Sequence, residues 1–109
     1  NIKHFVHHIQ DCVDWLGIMS YRREAGKIIR LVEDEIAYAS KQELARSIAP
    51  SMETSNIQGK DAHISFGGVP SEQFRLALAN LRATYEDNPN VRCIMLHHYG
   101  SLHTYLMGD

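Results

Sequence analysis

Cysteine is scarce in this sequence, and the two cysteines present form no recognisable pair. Cys12 and Cys93 lie far apart among the 109 residues, and neither belongs to a CxxC motif. A disulfide framework of the kind found in small secreted domains is therefore excluded. We predict that both are free thiols buried in the core, where cysteine behaves as a small apolar residue.

Long apolar runs and an excess of charge of one sign are also missing. No apolar stretch approaches the roughly 20 residues that a membrane-spanning helix requires, so we expect no membrane partner. A formal net charge of −2 supplies no sequence-independent attraction to nucleic acid, which we therefore do not expect as a partner. The chain begins at Asn1 without a signal-peptide pattern. We expect a trimmed or processed chain, and the sequence leaves its localisation open.

Signatures of nucleotide, serine or metal chemistry are absent from the sequence. It contains no GxGxxG, GxxxxGK or GxSxG motif. Seven histidines invite a metal interpretation, and His4 and His8 have i, i+4 spacing on a predicted helix. However, Phe5 replaces the glutamate of an HExxH motif, and no nearby cysteine or acid completes a tetrahedral set. We predict no metal site and no cofactor.

The composition that remains is that of one globular domain. Apolar residues make up 44% of the chain and charged residues 22%, a balance typical of folded domains and not of disordered segments. A chain of 109 residues has the size of one ordinary domain. We therefore predict a single domain over residues 1–109.

Apolar periodicity alternates along the chain between helical spacing and short continuous runs. Helices are predicted over residues 2–13, 25–42, 71–86 and 101–107. Strands are predicted over residues 15–21, 45–52, 63–66 and 91–98. The second strand is weakened by Pro50, whose ring removes a backbone donor. Strands that alternate with helices indicate βα units and a parallel sheet, so the predicted fold class is α/β.

Four short segments follow one another in a recognisable order. Asp14-Trp-Leu-Gly-Ile-Met-Ser-Tyr-Arg22 comes first, followed downstream by Met52-Glu53-Thr54, by His63-Ile-Ser-Phe66 and, after a long helix, by His97-His98-Tyr99. Over residues 11–105 this order resembles the last three βα units of glycoside-hydrolase-like (β/α)8 barrels, in which a Met-x-Tyr segment ends the sixth strand at the catalytic mouth. A complete barrel takes about 250 residues. The resemblance therefore implies that the first five strands come from a missing barrel segment or from self-association.

The resemblance also implies roles for residues at the rim of such a barrel. Glu53 would be the catalytic carboxylate at the end of the seventh strand, and the second acid that glycoside hydrolysis requires would lie outside this chain. The substrate-binding residues implied are Tyr21, Arg22, His97, His98 and Tyr99. Because adjacent strand residues point to opposite faces, His97 would share a face with Tyr99 but not with His98.

The implied function is hydrolysis of a glycosidic bond in a carbohydrate ligand, through an oxocarbenium-like transition state. The enzyme assignment stays open because this chain would supply only one of the two acids. Two alternative hypotheses come from other classes of protein. One is a non-catalytic binding or assembly module of small α/β fold, in which a second polypeptide covers the sheet edges. The other is a metal-binding protein that uses its histidines.

Overall fold

Three short parallel strands form the sheet. The computed structural model describes residues 3–107. Within them, β1 (Leu16–Ile18), β2 (Ile48–Glu53) and β3 (Met95–His97) lie side by side in the order β1-β2-β3 and are all parallel. The α/β class and the parallel sheet predicted from the alternating pattern are thereby confirmed.

Four helices accompany the strands. They are α1 (Phe5–Cys12), α2 (Ala25–Lys41), α3 (Ser71–Tyr85) and α4 (Tyr99–Leu106). Each matches a segment of predicted helical spacing, although the start of the segment over residues 2–13 lies outside the described residues and α4 begins two residues early. In residues 3–107 no helix has the length and apolar character needed to cross a membrane.

The strand predicted over residues 63–66 is wrong, because this region forms two short 3₁₀ helices, Gly59–Ile64 and Phe66–Gly68. Ser65 lies between them, and its hydroxyl donates to the backbone carbonyls of Glu53 and Ser55 while accepting from the N–H of Gly67. Such local hydrogen bonds between a side chain and the backbone compete with strand pairing. The segment therefore folds onto the end of β2 instead of joining the sheet.

Pro50 lies inside β2, the central strand, where proline is rarely found. The pairing between β2 and the segment leading into β3 changes register around it. Ile48 pairs with Val91 and Ser51 with Met95, so three steps along β2 match four steps along the other segment. This extra residue is a bulge, and it lies where the missing N–H of Pro50 would otherwise leave an acceptor unpaired. The bulge also shortens β3 relative to the strand predicted over residues 91–98.

The core lies between one face of the sheet and the helices α2 and α3. Side chains from β2 that point to this face, such as Met52, are fully buried against Ile28 and Val32 of α2 and Phe74 and Leu81 of α3. Burial of each large apolar side chain contributes roughly 1.5–3 kcal/mol. Helical spacing in residues 25–42 and 71–86 thus predicted both helices and most of the residues on their buried faces, although it missed Ile28.

The opposite face of the sheet carries no helix in residues 3–107. Ala49, Ser51 and Glu53 point to it from β2, and the side chain of Met95 crosses them from β3 to β1. Its Cε lies 2.7 Å from the position that a Cβ on Gly17 would occupy. The rest of this surface, which we call the open face, is accessible, because Gly17 and His97 are both exposed.

The helix α2 ends without glycine, although residues 41–44 are where a glycine cap would be expected. Glu43 adopts the left-handed conformation instead, with φ of 56°, and the N–H of Leu44 donates to the carbonyl of Ala39 at 2.8 Å. This arrangement is a Schellman-type ending with a side chain at the position that normally favours glycine. Glu43 therefore carries backbone strain.

The prediction that Cys12 and Cys93 are buried is wrong. Both are free thiols, as expected, but both are exposed. Cys12 is the last residue of α1, and Cys93 lies in the bulge beside β3. Neither position lies between the sheet and its helices, so neither thiol reaches the core.

Candidate functional site

Three candidate residues lie at the carboxyl ends of the three strands. Glu53 ends the central strand β2, His97 ends β3, and Tyr21 follows β1 by three residues. Glu53 and His97 are register partners, so their side chains leave the sheet on the same face. The parallel arrangement thus brings together residues that are far apart in sequence.

Glu53 is held by hydrogen bonds to its carboxylate from three directions. The side chain is almost fully buried, with a residue exposure of 6%. Its Oε1 accepts from the backbone N–H groups of Thr54 and Ser55, both at 3.0 Å. Its Oε2 lies 2.9 Å from Nδ1 of His97, which donates in the Nδ1–H tautomer. The carboxylate is therefore fixed in position at the edge of the open face.

Opposing effects act on the pKa of Glu53. Burial is the largest single effect and acts to raise it. The hydrogen bonds from Ser55 and His97 stabilise the ionised form, and together with the positive charge that His97 can carry they outweigh burial, so the pKa of Glu53 lies below its ordinary value. Glu53 is therefore ionised at neutral pH. An ionised, oriented carboxylate suits a nucleophile or an electrostatic stabiliser and not a proton donor.

Tyr21 approaches the same pair from the side of β1. The centroid of its ring lies 6.2 Å from that of His97. Burial raises the pKa of Tyr21, and the negative charge of Glu53 raises it further. The phenol therefore stays neutral and keeps a proton that it can donate in a hydrogen bond.

The other three substrate-binding candidates lie apart from Glu53 or have other local partners. Arg22 donates through Nη1 to the carbonyl of Tyr21 at 2.6 Å. His98 is the N-cap of α4, and its Nδ1 accepts from the N–H of Ser101 at 3.4 Å. Tyr99 is 80% exposed and is the first residue of α4. Since β3 ends at His97, the alternation expected to place His97 and Tyr99 on one face does not extend to Tyr99.

Thr54 and Ser101 are parts of the site that the sequence analysis missed. Thr54 is buried, its N–H lies 2.8 Å from the carbonyl of His97, and its hydroxyl lies 3.1 Å from the same oxygen. The Thr54 hydroxyl also lies 2.9 Å from Oγ of Ser101 in the first turn of α4. These contacts fix the backbone of His97 relative to β2. The sequence signal for Thr54 was only its place directly after Glu53.

The histidines do not converge on a metal site. Among residues 3–107 there is no group of three or more His, Cys, Asp or Glu side chains placed to hold a metal ion. His4 is the N-cap of α1 and His8 is exposed. His7 instead pairs with Asp34 at 3.0 Å and stacks on Tyr38, which joins α1 to α2.

Comparisons with known proteins add no residue assignment to this geometry. We find no family model, no curated protein and no solved structure that matches this chain. Functional interpretation therefore depends on the contacts of Glu53, His97 and Tyr21 themselves.

Proposed function

We propose that this chain forms the last three βα units of a glycoside-hydrolase-like (β/α)8 barrel and supplies Glu53 as an ionised carboxylate of the active site. One observation carries the proposal. The buried Glu53 carboxylate, its partner His97 and the neutral Tyr21 come from the carboxyl ends of three adjacent parallel strands. Barrel enzymes assemble their active sites at this edge of the sheet, with residues from several strands.

The chemistry proposed for Glu53 follows from its ionised state. In glycoside hydrolysis, positive charge develops at the anomeric carbon as the bond to the leaving oxygen breaks. The Glu53 carboxylate stabilises that charge or attacks the carbon directly. The leaving oxygen takes its proton from a second acid, which lies outside this chain in the proposal. Tyr21 contributes a hydrogen-bond donor beside the carboxylate.

The open face of the sheet supports the presence of further polypeptide. Parallel sheets are normally covered on both faces, whereas helices cover only one face in residues 3–107. Additional strands would cover the open face and close a barrel around Glu53.

A second candidate, a non-catalytic assembly module, is favoured by exposed apolar side chains in α1 and in the segments before and after β1. Phe5 and Met19 are 79% and 78% exposed, and Val13 and Trp15 are each 41% exposed. β1 is also an edge strand, so the backbone groups on its outer side are unpaired in the sheet. These features fit a surface that binds a second copy of the chain or another polypeptide. They do not explain the ordered carboxylate of Glu53.

Hydrolysis measured on the assembled particle separates the two candidates. The chain is combined with the polypeptide that completes the barrel, and the hydrolysis of aryl glycosides is compared for the wild type, Glu53→Gln and Glu72→Gln. Glu72 is an exposed residue in the first turn of α3 and serves as the matched control. We expect Glu53→Gln to lose about 10²-fold or more in rate, with no loss for the control. Equal rates for all three proteins, or hydrolysis by none, would reject the enzyme.

A further inference from the structure

A small cleft lies near the amino ends of β2 and β3, at the opposite end of the strands from Glu53. It is bounded by the end of α3 and by the segments that lead into β2 and β3. Its lining includes three arginines, Arg46, Arg82 and Arg92, and one acid, Glu86. The volume of the cleft is ≈ 280 Å³, slightly below the roughly 300–1,000 Å³ of clefts that bind drug-sized ligands. The cleft therefore has the size for a small ligand.

Two of these arginines are held against each other by reciprocal contacts. Nε of Arg92 donates to the carbonyl of Arg46 at 3.0 Å, and Nη2 of Arg46 lies 3.4 Å from the carbonyl of Arg92. The Arg92 guanidinium also lies over the ring of Trp15, with Cζ 5.3 Å from the ring centroid. Each hydrogen bond uses one of the five N–H donors that a guanidinium carries. Both side chains are thus positioned and still have donors to offer a ligand.

The positive charge of the cleft is only partly offset by its surroundings. None of the three guanidinium groups forms an ion pair with a carboxylate in the part of the chain that the structure describes. Glu86 lines the cleft and opposes an anion, as does the carboxyl end of α3, which carries about half a negative charge. Three arginines outweigh these two groups. The cleft therefore favours a small anion.

Arg46 occupies a strained position of the backbone. Its φ is 50°, in the left-handed region that glycine adopts without strain. Glycine at this position would relieve the strain but would supply no positive charge. Strained residues of this kind are concentrated at functional sites in proteins. The strain at Arg46 therefore supports a role for its side chain in binding.

We propose that this cleft binds a phosphate group, supplied by inorganic phosphate or by a small phosphate monoester. The planar guanidinium group forms paired hydrogen bonds to phosphate oxygens. Arg46, Arg82 and Arg92 together balance the charge of a phosphate dianion. Bound phosphate connects the end of α3 to the segments that precede β2 and β3. The site is separate from Glu53 and does not depend on the proposed hydrolysis.

The fluorescence of Trp15 reports binding, because Trp15 is the single tryptophan of the chain and the Arg92 guanidinium lies over its ring. The whole chain is titrated with inorganic phosphate, glycerol 3-phosphate and sodium chloride at equal ionic strength. The amide chemical shifts of Asn88 and Cys93, which line the cleft, are followed in the same titrations.

We expect a saturable change in both signals with at least one phosphate probe and none with chloride. Saturation by inorganic phosphate would show that the free ion is sufficient, and saturation by glycerol 3-phosphate alone would identify a monoester as the ligand. An equal change with chloride would overturn the site. So would the lack of a saturable change with either phosphate probe at up to ~50 mM, far above the millimolar Kd of a weak ligand.

A matched pair of substitutions locates the binding. Arg82→Gln removes one positive charge from the cleft, whereas Arg75→Gln makes the same change at an exposed position of α3 outside it. Both side chains are exposed, and thermal unfolding checks that both variants fold. We expect Arg82→Gln to weaken phosphate binding about tenfold or more, the effect of lost hydrogen bonds from a charged group, and Arg75→Gln to leave it unchanged. Equal weakening by the two variants would show general attraction to a cationic surface and would overturn the site.

Discussion

Replacement of Thr54 by valine would remove one hydroxyl from a buried position while preserving the shape of the side chain. That hydroxyl lies 3.1 Å from the carbonyl of His97 and 2.9 Å from Oγ of Ser101. Both contacts connect the end of β2 to the junction of β3 and α4. The substitution therefore tests whether Thr54 positions His97 against Glu53.

The expected cost follows from what the lost hydroxyl leaves behind. The carbonyl of His97 keeps the N–H of Thr54 at 2.8 Å, and Oγ of Ser101 keeps its contacts with the backbone of His98. No buried group is left without a partner, so the loss is that of two ordinary hydrogen bonds. We expect the free energy of unfolding to fall by about 1–2 kcal/mol. A freer His97 would also let the pKa of Glu53 rise.

Urea unfolding and a pH titration of the Glu53 carboxyl carbon by NMR measure the two effects. Thr54→Ser keeps the hydroxyl and should restore the wild-type titration of Glu53 even where it loses some stability. Thr84→Val, at an exposed position, should change stability by less than about 0.5 kcal/mol. An unchanged Glu53 titration in Thr54→Val would refute the positioning role, whatever the loss in stability.

Three further predictions concern single positions. The pKa of an unfolded glutamate is about 4.3, and folding lowers the pKa of Glu53 below its ordinary value. Below about pH 4.3 the unfolded state therefore binds the proton more readily, and the wild type should lose stability as pH falls through the lowered pKa. Urea unfolding should show that Glu53→Gln lacks this component of the pH dependence. Glu43→Gly should raise the free energy of unfolding by up to about 1 kcal/mol, since glycine adopts the positive φ of 56° without strain. Gly67→Ala should strongly lower the melting temperature, because the new Cβ would lie 2.3 Å from the carbonyl oxygen of Ser55. Gly26→Ala places its Cβ in open space and should raise the melting temperature slightly.

If the free energy of unfolding falls equally for the wild type and Glu53→Gln on acidification, folding does not stabilise the ionised form of Glu53. Glu86→Gly is the control for Glu43→Gly, because Glu86 has φ of −50° and glycine should destabilise there. Equal effects at the two positions would reject the strain at Glu43. A Gly67→Ala protein as stable as Gly26→Ala would reject the close backbone approach.

Helical spacing was sufficient to predict the two helices that form the core. In residues 25–42 the spacing predicts an apolar stripe of Ala25, Ile29, Val32, Ile36 and Ala39. The structure buries Ala25, Val32 and Ala39 of these, leaves Ile29 and Ile36 half-buried, and buries Ile28 in addition. The alternation of strands and helices along the sequence also predicted that Glu53 lies at the end of a parallel strand. The contact between Glu53 and His97 did not, because it depends on the register between β2 and β3.

Strand lengths and the segment after β2 escaped prediction for physical reasons. The strands predicted over residues 15–21 and 91–98 are shorter in the structure because pairing requires a neighbour in register, and the bulge beside Pro50 interrupts it for β3. Residues 63–66 have an apolar pattern compatible with a strand. Hydrogen bonds made by the Ser65 hydroxyl nevertheless direct them into 3₁₀ turns, a choice that no apolar pattern reveals.

Native mass spectrometry beside light scattering tests the central claim most directly, namely that the open face around Glu53 is completed by further polypeptide. We expect the purified chain of 12.4 kDa to self-associate or to co-purify with a second polypeptide in a barrel-sized particle. Trp15 should then become less accessible to a fluorescence quencher on assembly. A chain that stays folded as a 12.4 kDa monomer at high concentration, with the quenching of Trp15 independent of protein concentration, would contradict it.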